Sequence, residues 1–316
     1  MPIFKREQRA NVYQDTLDCI KSGSFKNGGG QEIDLELEPL RRGSRYYQKV
    51  KKTDDVSNPR DTIIYTQLID CVQKAYDFGE SGALLNMASR FRAGGGVLTG
   101  SASQEEEIFR RTTLGYSLYY YDPQNSQTYP YPDHTGQTAA YPIKGDRAAL
   151  WSPGVMIFKK GPAGYYDYMT QPGRTNVITI PAVQHPELTE GGEAFKEAHG
   201  RMWRNKIRTL LRVAKINKKT KLVLGAFGCG AYGNPPALVA DLFKEILEEP
   251  EFKGAFDRFA LLSWKIRIVP PVATMLPSPR FSVINERFAR DQASIFISSE
   301  NSGGHEDNEV YGISGD

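Results

Sequence analysis

The sequence predicts a layered α/β domain built around a largely parallel sheet. Between residues 62 and 263, short apolar runs typical of strands alternate with longer segments of helical spacing, a pattern typical of strand–helix–strand units. The chain has 316 residues, of which 40% are hydrophobic, so a real core is expected. In such sheets ligands bind at the carboxyl ends of the strands. The turns that follow the strands are therefore the places to look for function.

The individual elements follow from local spacing. Strands are predicted for seven short apolar runs, namely residues 62–67, 83–88, 148–152, 155–159, 177–182, 221–227 and 258–263. Helices are predicted where apolar residues recur every three or four positions, namely in residues 5–21, 68–78, 104–119, 192–215 and 236–249. Turn formers without a sustained period fill residues 120–147, which we expect to form a long surface excursion.

Composition and spacing argue against several function classes. The net charge of +3 is too small to indicate a nucleic-acid partner by itself. The odd number of cysteines argues against a disulfide framework, and neither the three cysteines nor the four histidines have metal-ligand spacing. No run approaches the roughly 18 apolar residues of a membrane span, and the amino terminus has no apolar signal core. We therefore expect no metal or other cofactor, no membrane partner and an intracellular location, cytoplasmic or nuclear.

The first candidate site is a glycine turn. Gly94, Gly95 and Gly96 follow the predicted strand 83–88 and precede a helix that begins near Ser103. Glycine adopts backbone angles closed to other residues and lets a ligand approach the main chain, while the amino terminus of a helix favours negative charge. A phosphate or a ribose fits such a turn. A surface loop without a ligand is the alternative.

A second glycine turn lies between a predicted strand and the helix that follows it. Gly228, Gly230 and Gly233 spell G-x-G-x-x-G, the fingerprint of dinucleotide-binding folds. Taken literally, they indicate an NAD-dependent oxidoreductase. The acidic residue expected about 20 positions later should end a second strand, but the candidates Asp241 and Glu245 fall inside a predicted helix. A diphosphate cradle therefore fits this turn better than a complete dinucleotide-binding unit.

A cluster of carboxylates begins the helix after the first turn. Ser103 followed by Glu106 has the pattern of a capping box, in which both side chains satisfy backbone amides at the helix start. Catalysis is the alternative. Consecutive helical residues such as Glu105 and Glu106 point about 100° apart, so they cannot flank a scissile bond as the two carboxylates of ordinary glycosidases do. A catalytic scheme here uses one carboxylate first as acid and then as base.

Two segments are rich in basic residues, namely residues 41–52 and 201–221. The plain interpretation of both is a solvated surface. A polymer with two phosphates in each unit would nevertheless be attracted by the positive charge of the second segment, which is predicted to be largely helical.

Taken together, these motifs resemble the signature of microbial-type poly(ADP-ribose) glycohydrolases, in which three glycines precede Gln-Glu-Glu by a short loop. In this chain "LLNMAS" is followed by "GGG", seven residues and "QEEEIFRRTTL". The similarity continues through "WSPGVMIFKKG" and "LVLGAFGCGAYGNPPALVADLF", and it covers roughly residues 8–288. Two departures are Arg92-Ala93, where the family more often has Asn-Pro, and Gln184, where it more often has Asn.

The resemblance implies a macrodomain fold, which is a three-layer α/β/α arrangement with a mixed, largely parallel central sheet. It implies a macrodomain-like catalytic domain over residues 61–290, preceded by a mainly helical extension over residues 1–60 that packs on the core. Residues 291–316 are small, polar and acidic, and we expect a disordered tail there.

The implied activity is hydrolysis of ribose–ribose O-glycosidic bonds in poly(ADP-ribose), which releases ADP-ribose. Glu106 would be the general acid/base, Glu105 would bind ribose hydroxyls, and Tyr232 would pack on the distal ribose. The full set of implied substrate contacts is Asn86, Gly94, Gly95, Gly96, Gln104, Gly228, Cys229, Gly230, Ala231, Tyr232 and Gly233. The expected partners are poly(ADP-ribose) or ADP-ribosylated macromolecules, and the chain is expected to be a monomer. A non-catalytic ADP-ribose reader stays open as an alternative.

Overall fold

The computed structural model of the chain describes residues 2–68, 70–125 and 139–262. Its centre is a sheet of seven strands, and a separate two-stranded hairpin lies near the amino terminus. The predicted tail, residues 291–316, and the last residues of the predicted catalytic domain lie outside the described residues.

The central sheet is mixed and largely parallel, as the sequence predicts. In chain order the strands are β1 (Ser24–Lys26), β2 (Glu32–Asp34), β3 (Arg45–Tyr47), β4 (Ile63–Leu68), β5 (Gly82–Met87), β6 (Ala149–Lys159), β7 (Tyr168–Ile180), β8 (Lys221–Leu224) and β9 (Arg258–Leu262). β1 and β2 form the hairpin, and the other strands follow the order β3-β6-β7-β5-β8-β9-β4. All pairs from β7 to β4 are parallel, whereas β6 runs antiparallel to both β3 and β7.

Helices cover both faces of this sheet. They are α1 (Arg6–Ser22), α2 (Leu37–Gly43), α3 (Cys71–Phe78), α4 (Gln104–Arg111), α5 (Leu114–Tyr119), α6 (Glu197–Ile216) and α7 (Pro236–Leu247). Successive strand residues point to opposite faces, and in the central strand Leu84 packs with the cluster that includes α1, α3, α4 and α5, while Leu85 packs with α6 and α7. Both leucines are 1% exposed. The expected three-layer arrangement is therefore confirmed.

The predicted helix 104–119 is divided into two helices. Thr112 forms an isolated antiparallel bridge with Ile157, and the amide of Thr113 donates to the carbonyl of Met156 at 3.0 Å. These bonds to β6 replace the helical hydrogen bonds at that point, so the chain ends α4 and begins α5 in a new direction.

The two long strands β6 and β7 extend beyond their predicted limits. The predicted strands 148–152 and 155–159 form one strand, because the proline and glycine between them are accommodated in a shift of register between Ser152 and Val155. β7 begins at Tyr168, well before the predicted apolar run, and its first seven residues are half-buried or exposed. Apolar content therefore gave no signal for that half of the strand.

The amino-terminal segment supports the sheet and the loop that follows the first glycine turn. β3, which the sequence did not predict, pairs with β6 at the sheet edge. Tyr13 of α1 is fully buried, and its hydroxyl lies 2.6 Å from that of Tyr119. Gly100 lies against the start of α1, where an added Cβ would collide with the carbonyl of Arg6, and Arg9 Nε donates to the Gly100 carbonyl at 2.7 Å.

Candidate active site

The first glycine turn follows β5, at the carboxyl edge of the sheet, and leads into α4. Gly94 and Gly95 have φ angles of +76° and +52°, which glycine adopts without steric cost. A Cβ at Gly94 would lie 2.7 Å from the ring of Phe109, and one at Gly95 would lie 2.6 Å from Glu106 Oε1. A Cβ at Gly96 would collide with Ser101. The glycines are therefore required because side chains of α4 and of the loop before it occupy the space next to this backbone.

Glu106 turns one of its two oxygens to this turn. Its Oε1 accepts a hydrogen bond from the amide of Gly96 at 2.9 Å. Its Oε2 is buried and has no partner among the described residues. The capping-box interpretation is wrong, because Ser103 is the N-cap but makes no side-chain capping bond. The glycine turn folds back over the helix start and supplies the amide that Glu106 binds instead.

Glu105 is held by protein donors on both oxygens. Its Oε2 accepts from the amide of Ser89 at 2.7 Å, and its Oε1 accepts from Asn86 Nδ2 at 3.3 Å and from the amide of Gly94 at 3.2 Å. Burial raises the pKa of Glu105 to about 8, with a further contribution from the charge of Glu106, against the lowering effect of these hydrogen bonds. Glu105 therefore fastens the glycine turn to the end of β5.

Asn86 and Gln104 differ in how far their amides are used. Asn86 is fully buried and donates to Thr179 Oγ1 at 3.2 Å as well as to Glu105, but its Oδ1 has no partner in the described chain. Gln104 Oε1 accepts from the amide of Met87 at 2.9 Å, and its Nε2 donates to the carbonyl of Leu85 at 2.6 Å. The structure therefore places Gln104 as a link between α4 and β5, while Asn86 has a free acceptor. Buried polar atoms without partners are rare in native proteins.

The second glycine turn lies between β8 and α7, at the same edge. Gly228 and Gly233 have φ angles of +74° and +67°, and a Cβ on Gly228 would lie 2.6 Å from that of Ala182. Gly230 and Ala231 are exposed at the tip of the turn. The backbone of this turn is thus open towards solvent on one side and closely packed on the other.

Asn234, which sequence reasoning missed, holds the second turn in place through hydrogen bonds of its side chain. Asn234 is 2% exposed. Its Nδ2 donates to the carbonyls of Gly228 at 2.8 Å and Val183 at 2.7 Å, and its Oδ1 accepts from Trp203 Nε1 at 2.8 Å. The available signal was an asparagine placed directly after a glycine turn, since asparagine often bonds nearby backbone.

Tyr232 joins the two turns. Its hydroxyl accepts from the amide of Arg90 at 3.2 Å and donates to the carbonyl of Ala88 at 3.3 Å, both in the loop after β5. Cys229, in the same turn, is half-buried, and burial raises the pKa of its thiol to about 12. A thiol with such a pKa is a poor nucleophile, which agrees with its interpretation as a small residue that fits the turn.

The described part of the chain contains no group of three or more His, Cys, Asp or Glu side chains arranged to hold a metal ion. Among the described helices, none is long and apolar enough to cross a membrane.

Known proteins share sequence and structural similarity with this chain. The family model of the microbial-type PARG catalytic domain, where PARG denotes poly(ADP-ribose) glycohydrolase, matches residues 13–160. This part of the chain is therefore similar to a microbial-type PARG catalytic domain. No curated protein matches the sequence.

Solved PARG structures extend this similarity over most of the chain. A PARG from Thermomonospora curvata bound to the inhibitor ADP-HPD has a TM-score of 0.66 and 25% identity, covering 90% of this chain and 100% of that one. A PARG from Deinococcus radiodurans in complex with ADP-ribose has a TM-score of 0.53 and 28% identity, covering 72% of this chain and 90% of that one. The match to the PARG family model ends with β6, so the second glycine turn is supported by the structural likeness and not by the family model.

One departure from the usual PARG pattern has a structural account. The amide of Ala93 donates to Asp122 Oδ2 at 2.7 Å. A proline, which the family more often has at this position, has no N–H and could not make this bond. The other departure, Gln184, is exposed, and nothing in the described structure explains it.

Proposed function

We propose that this chain hydrolyses the ribose–ribose O-glycosidic bonds of poly(ADP-ribose) and releases ADP-ribose, with Glu106 as the general acid/base. The single observation that carries the proposal is the buried Oε2 of Glu106, which has no partner among the described residues and lies at the sheet edge beside the first glycine turn. The PARG from Deinococcus radiodurans binds ADP-ribose, and a ligand of that kind needs the parts gathered here.

The two turns suit different parts of an ADP-ribose unit. The second turn offers exposed backbone at Gly230 and Ala231, where amides can approach a diphosphate. Near the glutamates, the free Oδ1 of Asn86 can accept a hydrogen bond from a ribose hydroxyl. Tyr232 lies between the turns and would pack on the distal ribose, with its hydroxyl already used for bonds to the loop after β5.

The chemistry needs only Glu106 and water. Protonated Glu106 donates its proton to the oxygen of the leaving ribose as the glycosidic C–O bond breaks, which leaves an oxocarbenium-like distal ribose and a carboxylate. The carboxylate then accepts a proton from water as the water oxygen attacks the anomeric carbon. The hydrogen bond from Gly96 to Oε1 keeps the other oxygen of Glu106 directed away from the backbone of the turn.

In this scheme the main role of Glu105 is to position the first glycine turn and, through it, Glu106. Its three backbone and side-chain donors hold the turn that positions Glu106. Because burial raises the pKa of Glu105 to about 8, its neutral form adds no charge beside the carboxylate that Glu106 becomes after it donates its proton. A contact between Glu105 and ribose hydroxyls stays a prediction, as do the substrate contacts of the turn residues and of Gln104.

The proposal includes a monomer of one catalytic domain over residues 61–290 that works inside the cell. A monomer is supported because both turns and both glutamates come from one chain. An intracellular location, in the cytoplasm or nucleus, is supported by the free thiols of Cys19, Cys71 and Cys229. Analytical ultracentrifugation of the full chain tests the first point, and fluorescence microscopy of a tagged chain tests the second.

The deciding experiment measures free ADP-ribose released from purified poly(ADP-ribose) by the wild-type chain. Release of ADP-ribose is expected. Tight binding of ADP-ribose without release from polymer would instead identify a reader. Binding of NADH with no binding of ADP-ribose would favour the oxidoreductase alternative suggested by the G-x-G-x-x-G spacing.

A further inference from the structure

A basic groove lies at the β3 edge of the molecule, outside the site described above. It has a volume of about 410 Å³ and is lined by Lys49, Lys51, Lys52, Arg147, Arg208 and Arg212, together with Val50 and Asn205. Six of these eight residues are cationic and none is acidic. A volume of this size accommodates a small ligand, and a lining of this charge favours an anion.

Three of the cations have carboxylate partners. Lys52 pairs with Asp55 at 3.1 Å, Arg208 with Glu249 at 2.6 Å and Arg212 with Glu251 at 2.7 Å. Arg208 and Arg212 therefore contribute little net charge, although their remaining N–H groups are still donors.

Lys49, Lys51 and Arg147 are the uncompensated cations of this groove. All three side chains belong to exposed residues, and within the described ranges none of them has a carboxylate at ion-pair distance. The amide of Val50 donates to the carbonyl of Arg147 at 3.1 Å, so the backbone itself holds the two lysines next to the arginine. Their charges are available to a ligand.

A short chain segment connects this groove with the active site. The amide of Ile143 donates to the carbonyl of Arg90 at 2.9 Å, and Arg90 is the residue whose amide bonds to Tyr232. From Ile143 to Arg147 the backbone spans at most roughly 14 Å, even if fully extended.

The segment between these two residues is held against α6. Lys206 Nζ donates to the carbonyl of Gly145 at 3.3 Å, and Asn205 Nδ2 donates to Asp146 at 2.6 Å. The segment that joins Arg147 of the groove to the loop carrying the first glycine turn is therefore held in place.

We propose that Lys49, Lys51 and Arg147 bind the diphosphate of a second poly(ADP-ribose) unit while the unit to be cleaved occupies the active site. This inference rests on the proposed hydrolysis of the polymer. Each unit of that polymer carries a diphosphate, so a chain that leaves the active site along the segment 143–147 presents its next negative charge near the groove. A ligand of a single unit has one diphosphate, so it cannot place one diphosphate in the active site and another in the groove.

The test compares a long polymer with the shortest cleavable substrate. The groove variant is Lys49→Ala/Lys51→Ala/Arg147→Ala. The matched control is Lys21→Ala/Lys26→Ala/Lys160→Ala, which removes three other exposed cations, on α1, on β1 and just after β6, and changes the net charge equally. The rate of ADP-ribose release is measured for long-chain poly(ADP-ribose) and for ADP-ribose joined through the same ribose–ribose bond to adenosine, a substrate that has no second diphosphate, at several salt concentrations.

For the groove variant we expect KM for the long polymer to rise about fivefold to thirtyfold at low salt, which is what three exposed charge contacts are worth together. The slope of log KM against log salt should also decrease by about two. For the adenosine conjugate, hydrolysis by the groove variant should match that by the wild type, and the control should match the wild type on both substrates.

Several results would overturn the inference. One is equal KM on the polymer for the groove variant, the control and the wild type. Another is an equal loss on the adenosine conjugate and the polymer, which would make the groove part of the catalytic support. Loss of binding to a short DNA duplex with unchanged polymer KM would assign the groove to nucleic acid. If the triple variant does not fold, Lys49→Ala/Lys51→Ala gives the same test.

Failure of the proposed function is distinguishable from failure of this inference. In the first case the wild-type chain releases no ADP-ribose from either substrate. In the second case the wild type is active, and only the difference between the two substrates is missing.

Discussion

A Cβ atom on Gly95 would lie 2.6 Å from Oε1 of Glu106. The turn and the carboxylate thus occupy adjoining space, and the carboxylate keeps its place because no side chain stands opposite it. The positive φ of Gly95, +52°, adds a second reason for glycine at this position.

We expect Gly95→Ala to lower kcat on poly(ADP-ribose) at least about tenfold, because the new methyl group displaces the carboxylate from its position. It should also lose about 1 kcal/mol of stability from the strained backbone. Gly30→Ala is the matched control, since Gly30 has φ +81° and open space around its Cβ. Urea unfolding should show the backbone loss for both variants and a further loss for Gly95→Ala from the collision with Glu106, and only Gly95→Ala should lose activity. A wild-type kcat for Gly95→Ala would contradict the packing argument.

The Glu106→Gln variant distinguishes a catalytic role of Glu106 from a structural one. Glutamine can still accept the hydrogen bond from Gly96, so the free energy of unfolding should change by no more than about 1 kcal/mol. It cannot donate and recover a proton, so kcat should fall by about 10²–10⁴. The affinity for ADP-ribose, measured by calorimetry, should stay within a few-fold of the wild type. Hydrolysis of polymer at close to the wild-type rate would show that Glu106 is not the general acid.

Stability should depend on pH through Glu105. Burial raises its pKa to about 8 in the folded chain, whereas an exposed glutamate titrates near pH 4.3. Between these values the native state holds a proton that the unfolded state has lost. The free energy of unfolding should therefore fall as pH rises, by about 1.4 kcal/mol for each pH unit from this group.

Glu105→Gln removes this titration and supplies the comparison. The variant should lose stability at every pH, because its amide nitrogen meets backbone donors such as Ser89. From pH 5 to pH 8 the wild type should nevertheless lose stability relative to the variant, as measured by urea unfolding at each pH. A constant difference across this range would show that Glu105 is already ionised in the folded chain.

Asn234→Ala should weaken ADP-ribose binding without touching either glutamate. The change leaves the carbonyl of Val183 and the N–H of Trp203 without their side-chain partner, at a cost of about 2–4 kcal/mol. Asn176→Ala is the matched control, because Asn176 is also buried and donates to two carbonyls, of Glu80 and Gly82, away from both turns.

Thermal unfolding and calorimetry with ADP-ribose distinguish the two asparagine variants. Both should lose stability, but only Asn234→Ala should also lose affinity, because only its loss releases the second turn. Equal affinities for the two variants would show that the turn keeps its shape without this brace.

Local sequence patterns predicted the buried elements well and the exposed ones poorly. The spacing of apolar residues indicated α6, α7 and the parallel strands because burial on the core requires that spacing. It gave no indication of β3, whose burial is partial, since its place in the sheet is decided by a partner strand about 100 residues away in the chain. The division between α4 and α5 was also missed, since it depends on contacts with β6 that local spacing does not contain.

In the candidate site, too, sequence patterns predicted what depends on neighbouring residues and missed what depends on contacts distant in sequence. The motif placed Glu105, Glu106 and the first glycine turn together, and the structure confirms that they lie side by side. The capping box was a reasonable expectation from spacing, but it failed because the amide that Glu106 binds belongs to Gly96, outside the helix. Asn234 was missed because its importance depends on three partners that are distant in sequence or are backbone atoms.

The contact between Gly100 and Arg6 has a consequence for the size of the smallest working enzyme. An added methyl group at Gly100 would collide with the first turn of α1. The loop between the glycines and the glutamates therefore packs directly against that helix. A chain shortened to begin at residue 61 would retain both glutamates and every glycine of the two turns, yet would lack the surface against which that loop is folded. The amino-terminal helix therefore belongs to any minimal version of this enzyme, although none of the proposed catalytic or substrate-contact residues lies on it.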